Sequence, residues 1–144
     1  FYIGGTKNGL LFGEALVIVN DALKPDFRYL IKQHGGMFAK GRLLGVQFDA
    51  VFQNDLYFSL GRHSNALAQQ LAAGMEALGC PMFVKSTTNQ IFPIVPDTML
   101  PLLDSLCRYE VWCKADAEHT VIRLVTSWAN RAEDIPAFLA ALKC

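Results

Sequence analysis

The sequence is poor in charge: Asp, Glu, Lys and Arg make up 18% of its 144 residues, and 13 basic side chains cancel 13 acidic ones. A chain so balanced offers no electrostatic footprint for nucleic acid or for an anionic membrane surface. It also lacks any uninterrupted apolar run near the ~18 residues that cross a bilayer. No C-x-x-C pair, zinc-type Cys/His spacing or H-E-x-x-H run occurs, so a metal centre is not expected. The phosphate-binding pattern G-x-x-x-x-G-K-[ST] is absent too. The sequence does not open on Met, and its first residues, Phe1-Tyr2-Ile3-Gly4-Gly5, have neither the basic nor the apolar stretch of a signal peptide. An apolar stretch entering a glycine pair reads as the middle of a strand–turn unit, so Phe1 is expected to be a cut or boundary inside a longer polypeptide.

Apolar residues are abundant, at 52%. That content implies a well-buried interior, or surface that something else covers. Disorder, collagen and coiled coil are excluded. Cys80, Cys107, Cys113 and Cys144 are too scattered for a disulfide scaffold and read as reduced thiols, which favours the cytoplasm. His34, His63 and His119 stand far apart and read as surface or helix-end residues.

The run at 15–19 predicts a buried strand leading into a turn. Pro25 opens a helix over 26–34, stopped by Gly35-Gly36, and apolar spacing predicts another over 37–53, weakened by Gly41 and Gly45. Over 59–78 the stripe Leu60, Leu67, Leu71, Met75 and Leu78 marks a clear helix. Strand segments are expected at 82–84 and 90–95, the second interrupted by Pro93. Asp97 reads as the N-cap of a helix reaching about residue 106. Strands at 109–114 and 120–126, joined by a polar connection, read as a hairpin. A last helix begins with a capping-box pattern, Asn130 and Glu133, and carries the stripe Ile135, Phe138, Leu139, Leu142. The natural division falls near residues 55–58. The first part, with one buried strand, cannot close a core alone and reads as the end of a larger α/β sheet. The second can form a small α+β domain.

Three features carry chemistry. In Gly4-Gly5-Thr6-Lys7-Asn8-Gly9 a lysine sits among glycines between two apolar runs. Such a lysine is a solvated turn residue, a phosphate ligand, or an amine that attacks a carbonyl to form a Schiff base. Arg123 interrupts the apolar strand Val121-Ile122-Arg123-Leu124-Val125 on the face of Val121 and Val125. It either snorkels to an edge or meets a carboxylate, and it is the residue best placed for a ligand's carboxylate. Lys32, His34, Lys40 and Arg42 lie in a glycine-rich stretch that is either a solvated helix junction or an anion-binding corner facing a neighbouring subunit.

Together these segments resemble the low-specificity L-threonine aldolases, pyridoxal-phosphate enzymes of the aspartate-aminotransferase-like group. The resemblance rests on Gly-Gly-Thr-Lys-Asn-Gly, the following Leu-Phe-Gly-Glu-Ala-Leu-Val, Lys32-Gln33 with Ala39-Lys40-Gly41-Arg42, and Arg123-Leu124-Val125-Thr126-Ser127-Trp128. It implies an α/β chain in which residues 1–57 end the cofactor-binding large domain and 58–144 form the small C-terminal α+β domain. Lys7 would bind the cofactor covalently, Lys32 would be a cation near its phosphate or the active-site mouth of an adjoining subunit, and Arg123 would hold the substrate α-carboxylate. The activity implied is cleavage of threonine or similar β-hydroxy amino acids to glycine and an aldehyde, by a homo-oligomer (dimer or tetramer) acting on a small molecule. A β-eliminating lyase of the same cofactor fold, or a folded piece acting only in assembly, are the alternatives. The partners of the pyridine nitrogen and of the ring precede the lysine in this family, so 144 residues alone are expected to be inactive.

Overall fold

A computed structural model describes residues 1–143 in two compact units, residues 1–59 and 60–143. In the first, Tyr2–Gly4 (β1) and Glu14–Leu16 (β2) pair antiparallel, with Ile3 opposite Ala15. Phe1 and Val17 extend the ribbon by exchanging hydrogen bonds of 3.0 and 2.9 Å. The expected buried strand over 15–19 is therefore shorter, and Leu16 and Val19 are exposed. A two-stranded ribbon has no third strand in this unit, and apolar content alone does not say which neighbour covers a strand.

Helix α1 spans Phe27–Gln33 and helix α2 spans Arg42–Phe52. The second starts later than its apolar spacing predicts, because residues 38–41 close a turn through Gly41 N–H to the Phe38 carbonyl (3.1 Å). Glycines at 35, 36 and 41 make that stretch costly to hold helical. At its other end α2 meets the start of α3 through a ring cluster. Phe52 stacks on Phe48 and Tyr57, with centroids 6.3 and 5.0 Å away, and Phe58 lies edge-on to Tyr57 at 5.6 Å.

Helix α3 runs from Leu56 to Ala77, and in the second unit it buries Leu67, Leu71 and Met75 of the predicted stripe together with Ala68, while Leu60 and Leu78 of that stripe are half-buried. These side chains meet a small antiparallel sheet. Its centre is β6 (His119–Val125), flanked on one side by β5 (Glu110–Lys114) and on the other by β3 (Gln90–Ile91) and β4 (Ile94–Pro96). The predicted strand over 90–95 splits at Pro93, which has no N–H to give; its carbonyl accepts from Ile122 N–H at 3.1 Å. Residues 82–84 make only a single bridge, Met82 to Pro93. Ile122 and Leu124 of β6 face the core with Ile91, Val95, Leu103, Ile135 and Leu142. Helices α4 (Leu100–Leu106) and α5 (Asp134–Ala141) contribute Leu103 and Ile135 to it.

Both predicted caps are replaced. Asp97 starts a 3₁₀ turn, and its carboxylate accepts from the Thr120 hydroxyl (2.6 Å) and the Lys114 ammonium instead of capping a helix. Asn130 accepts from Ser127 N–H at 2.7 Å, while Asp134 takes Arg131 N–H at 2.8 Å, so no capping box forms with Glu133. In each case a better-placed donor outside the first turn wins the carboxylate or amide oxygen.

Those bonds make a pH prediction. The hydrogen bonds from Lys114 and Thr120 hold the Asp97 carboxyl below its ordinary value of 3.8. A depressed folded-state pKa contributes stability above about 3.8, lost as pH falls through the folded value. Asp97→Asn is therefore expected to lower the melting temperature at pH 7 and to do so by progressively less as pH falls below 3.8, as read by circular dichroism across that range.

Candidate functional site

The β1–β2 loop holds Lys7 in a turn whose frame is fixed at many points. Asn8 and Leu10 N–H both donate to the Gly5 carbonyl, at 2.9 and 3.2 Å. Gly5 N–H reaches the Glu14 carboxylate at 3.2 Å, and Gly13 N–H reaches the Thr6 hydroxyl at 3.1 Å. Asn8 donates to the Tyr57 carbonyl (3.2 Å), and the Tyr57 hydroxyl returns a bond to the Gly4 carbonyl (2.8 Å). Leu11 N–H is anchored on Gln47 of α2 at 2.9 Å. Two glycines make this packing possible. A Cβ on Gly5 would lie 2.3 Å from the Gly13 carbonyl oxygen, and Gly13 itself has φ +111°, which an L side chain rarely adopts. The Lys7 side chain is exposed, and among the described residues its ammonium meets no acceptor. The loop is stapled and its lysine is free.

Lys32 lies in the last turn of α1, exposed and without an ion-pair partner among the described residues. His34 follows as the C-cap of that helix. Lys40 and Arg42, by contrast, line a depression of about 410 Å³ at the start of α2 with Ala39, Gly41, Leu43 and Val46. The cationic stretch is thus divided between two elements, and Lys32 does not line that depression.

Arg123 sits mid-strand on β6, on the sheet face opposite the core. Its Nη2 is 2.6 Å from the Glu110 carboxylate on β5, and Nη1 donates to the Gln90 side-chain oxygen at 3.5 Å. Beside the pair is a shallow pocket of about 170 Å³, lined by Arg108, Tyr109, Glu110, Arg123 and Val125. The Tyr109 hydroxyl donates to Asp104 at 2.7 Å, and that bond, with some desolvation, pushes its pKa up to about 12. It is a fixed donor rather than a proton-transfer group at neutral pH. Glu110 is the member of this group that the sequence reading missed. A bulge at Trp112 shifts the hairpin register, so that Glu110 rather than Val111 stands opposite Arg123.

The remaining candidates have local roles. His63 Nε2 lies 2.8 Å from the Asn130 carbonyl and His119 Nδ1 lies 2.9 Å from Asp116. Cys80, Cys107 and Cys113 are free thiols, and burial pushes the thiol pKa of Cys80 and of Cys107 up; Cys144 lies outside the described residues. Among the described residues no cluster of three or more His, Cys, Asp or Glu could hold a metal, and no helix is long and apolar enough to cross a membrane.

No protein-family model matches the chain. The low-specificity L-threonine aldolase of Pseudomonas aeruginosa is 41% identical over 69 residues, which is 48% of this chain and 20% of that protein. That of a second Pseudomonas species is 36% identical over 70 residues, 49% of this chain and again 20% of the relative. The solved threonine aldolase of Leishmania major superposes with a TM-score of 0.93 at 45% identity, covering 99% of this chain and 42% of that one. This chain therefore spans about two fifths of the Leishmania protein, and the aligned stretches only a fifth of the bacterial ones. The resemblance carried by the lysine loop and the arginine strand extends through the whole described architecture: the chain has the fold of part of a threonine aldolase.

Proposed function

We propose that these residues are the C-terminal part of a pyridoxal-phosphate-dependent lyase that cleaves L-threonine and similar β-hydroxy amino acids to glycine and an aldehyde. The observation that carries this reading is the unpaired Lys7 in a loop stapled at both ends, within a fold that is 45% identical to a threonine aldolase. A lysine amine that captures a carbonyl must be free of competing acceptors, yet held still enough to meet the carbon. Lys7 fits both requirements. When bound, pyridoxal phosphate supplies an electron sink for the negative charge left on Cα as the Cα–Cβ bond breaks.

The chain's own residues then divide the work. Lys7 Nζ would hold the cofactor, and the same nitrogen could take up or release a proton whenever it is not engaged. Arg123 grips the substrate α-carboxylate through its planar fork, which fixes the substrate's orientation. Lys32 places a positive charge near the cofactor phosphate or the active-site mouth of an adjoining subunit. The full-length protein is read as a cytoplasmic homo-oligomer, and residues 1–57 as the end of its cofactor-binding domain.

The test is product analysis. Full-length enzyme supplied with L-threonine or L-allo-threonine is expected to release glycine and acetaldehyde in equal amounts, and the 144-residue chain alone to release neither. Ammonia and a 2-oxo acid in place of glycine would establish β-elimination and overturn the aldolase reading.

A further inference from the structure

We propose that Glu110 is a built-in stand-in for the substrate carboxylate, occupying the Arg123 fork until substrate displaces it. This rests on the reading of Arg123 as the carboxylate-binding residue. The geometry has three parts. The pair is lopsided: the Arg123 side chain is 26% exposed and that of Glu110 65%. An arginine mostly withdrawn from water needs an anion or acceptor beside it, whereas an exposed carboxylate can swing into solvent at little cost. The contact is also uneven. Glu110 approaches Nη2 at 2.6 Å, while Nη1 donates to the Gln90 oxygen over a long 3.5 Å, so an incoming carboxylate that engages both nitrogens has more to gain. Finally, the space exists: the 170 Å³ pocket beside the pair opens onto Glu110 and Arg123 and carries a second guanidinium, Arg108, with no ion-pair partner among the described residues.

The bulge makes this arrangement specific. Lys114 pairs with Thr120 and Cys113 with Val121, so an unbroken ladder would set Val111 opposite Arg123 and turn Glu110 toward Leu124. The extra residue, Trp112, moves Val111 to Ile122 and Glu110 to Arg123. Bulges of this kind re-aim a side chain, and here the one re-aimed is the arginine's counter-ion. A displaceable internal carboxylate keeps the guanidinium oriented while the site is empty. It also sets a threshold against weak anions, since only a ligand that binds better than Glu110 gains the fork.

Steady-state kinetics of the full-length enzyme separate this from a purely structural ion pair. Glu110→Gln is expected to lower KM for L-threonine about twofold to fivefold, the change lying in KM rather than in kcat. Glu110→Asp, too short to keep the contact, is expected to shift KM the same way. A KM that stays put or rises in both variants overturns the proposal. Arg123→Lys in parallel tests the underlying reading: a KM raised tenfold or more supports it, and an unchanged KM removes the basis of both. A second readout needs no turnover. In full-length enzyme labelled at its arginine guanidinium groups, acetate is expected to perturb the Arg123 side-chain NMR signal at lower concentration in Glu110→Gln than in wild type. Equal midpoints would contradict displacement.

Discussion

Lys7→Ala in the full-length enzyme is expected to reduce glycine release from threonine by about 10³-fold or more, because covalent capture and proton transfer at one nitrogen are lost together. Lys7→Arg should be equally inactive. A guanidinium keeps the positive charge and most of the length, but it stays protonated and cannot act as the nucleophile. The comparison separates two roles that a loop lysine can have: if charge alone mattered, arginine would restore activity. Neither variant should unfold the protein. Lys7 is exposed and unpaired among the described residues, and the loop's hydrogen bonds run through Gly5, Thr6, Asn8 and Leu11, not through its side chain. A melting temperature within a degree or two of wild type, with activity gone, is the expected combination.

Gly5→Ala is the second large effect, and it acts without touching the lysine's chemistry. The new methyl would meet the Gly13 carbonyl oxygen at 2.3 Å, the Leu10 side chain at 2.7 Å and the Phe48 ring at 3.1 Å. A leucine tip or a ring can turn aside, but the carbonyl is backbone, and the strands on either side fix it through the Gly4–Glu14 register. The loop must therefore open. The cost is about 1–3 kcal/mol for forced overpacking. Displacing Lys7 by an ångström would by itself lower the rate about 100-fold. Gly35→Ala is the useful comparison in the same unit: its added Cβ meets nothing within 4 Å, so any loss there comes from its φ of +74° alone. Thermal unfolding and glycine-release assays on both variants would separate crowding from backbone strain. A Gly5→Ala enzyme with unchanged rate and stability would show that the loop is not held as described.

Much of this architecture can be read from the residues. The stripe Leu67, Leu71, Met75 is a local property of a 3.6-residue period, and it faces the core as expected. Pro93 breaks its strand for a reason written in its own ring. Arg123 lies on the predicted face, because alternation along a strand needs no knowledge of neighbours. What failed depended on partners distant in sequence. Asp97 has the chemistry of a cap, but Lys114 and Thr120 of the sheet claim it. The staples of the lysine loop come from Gln47 and Tyr57, which no spacing rule connects to residues 8 and 11. Glu110 was hidden by one extra residue in the hairpin, since counting back from its tip places Val111, not Glu110, beside Arg123. The free lysine was legible as a candidate; the frame that holds it was not.

Covalent trapping tests the central claim most directly. Full-length enzyme loaded with pyridoxal phosphate, reduced with borohydride and digested, should yield one phosphopyridoxyl-labelled peptide, carrying the label on Lys7. A label on a different lysine, with Lys7 unmodified, would contradict the account.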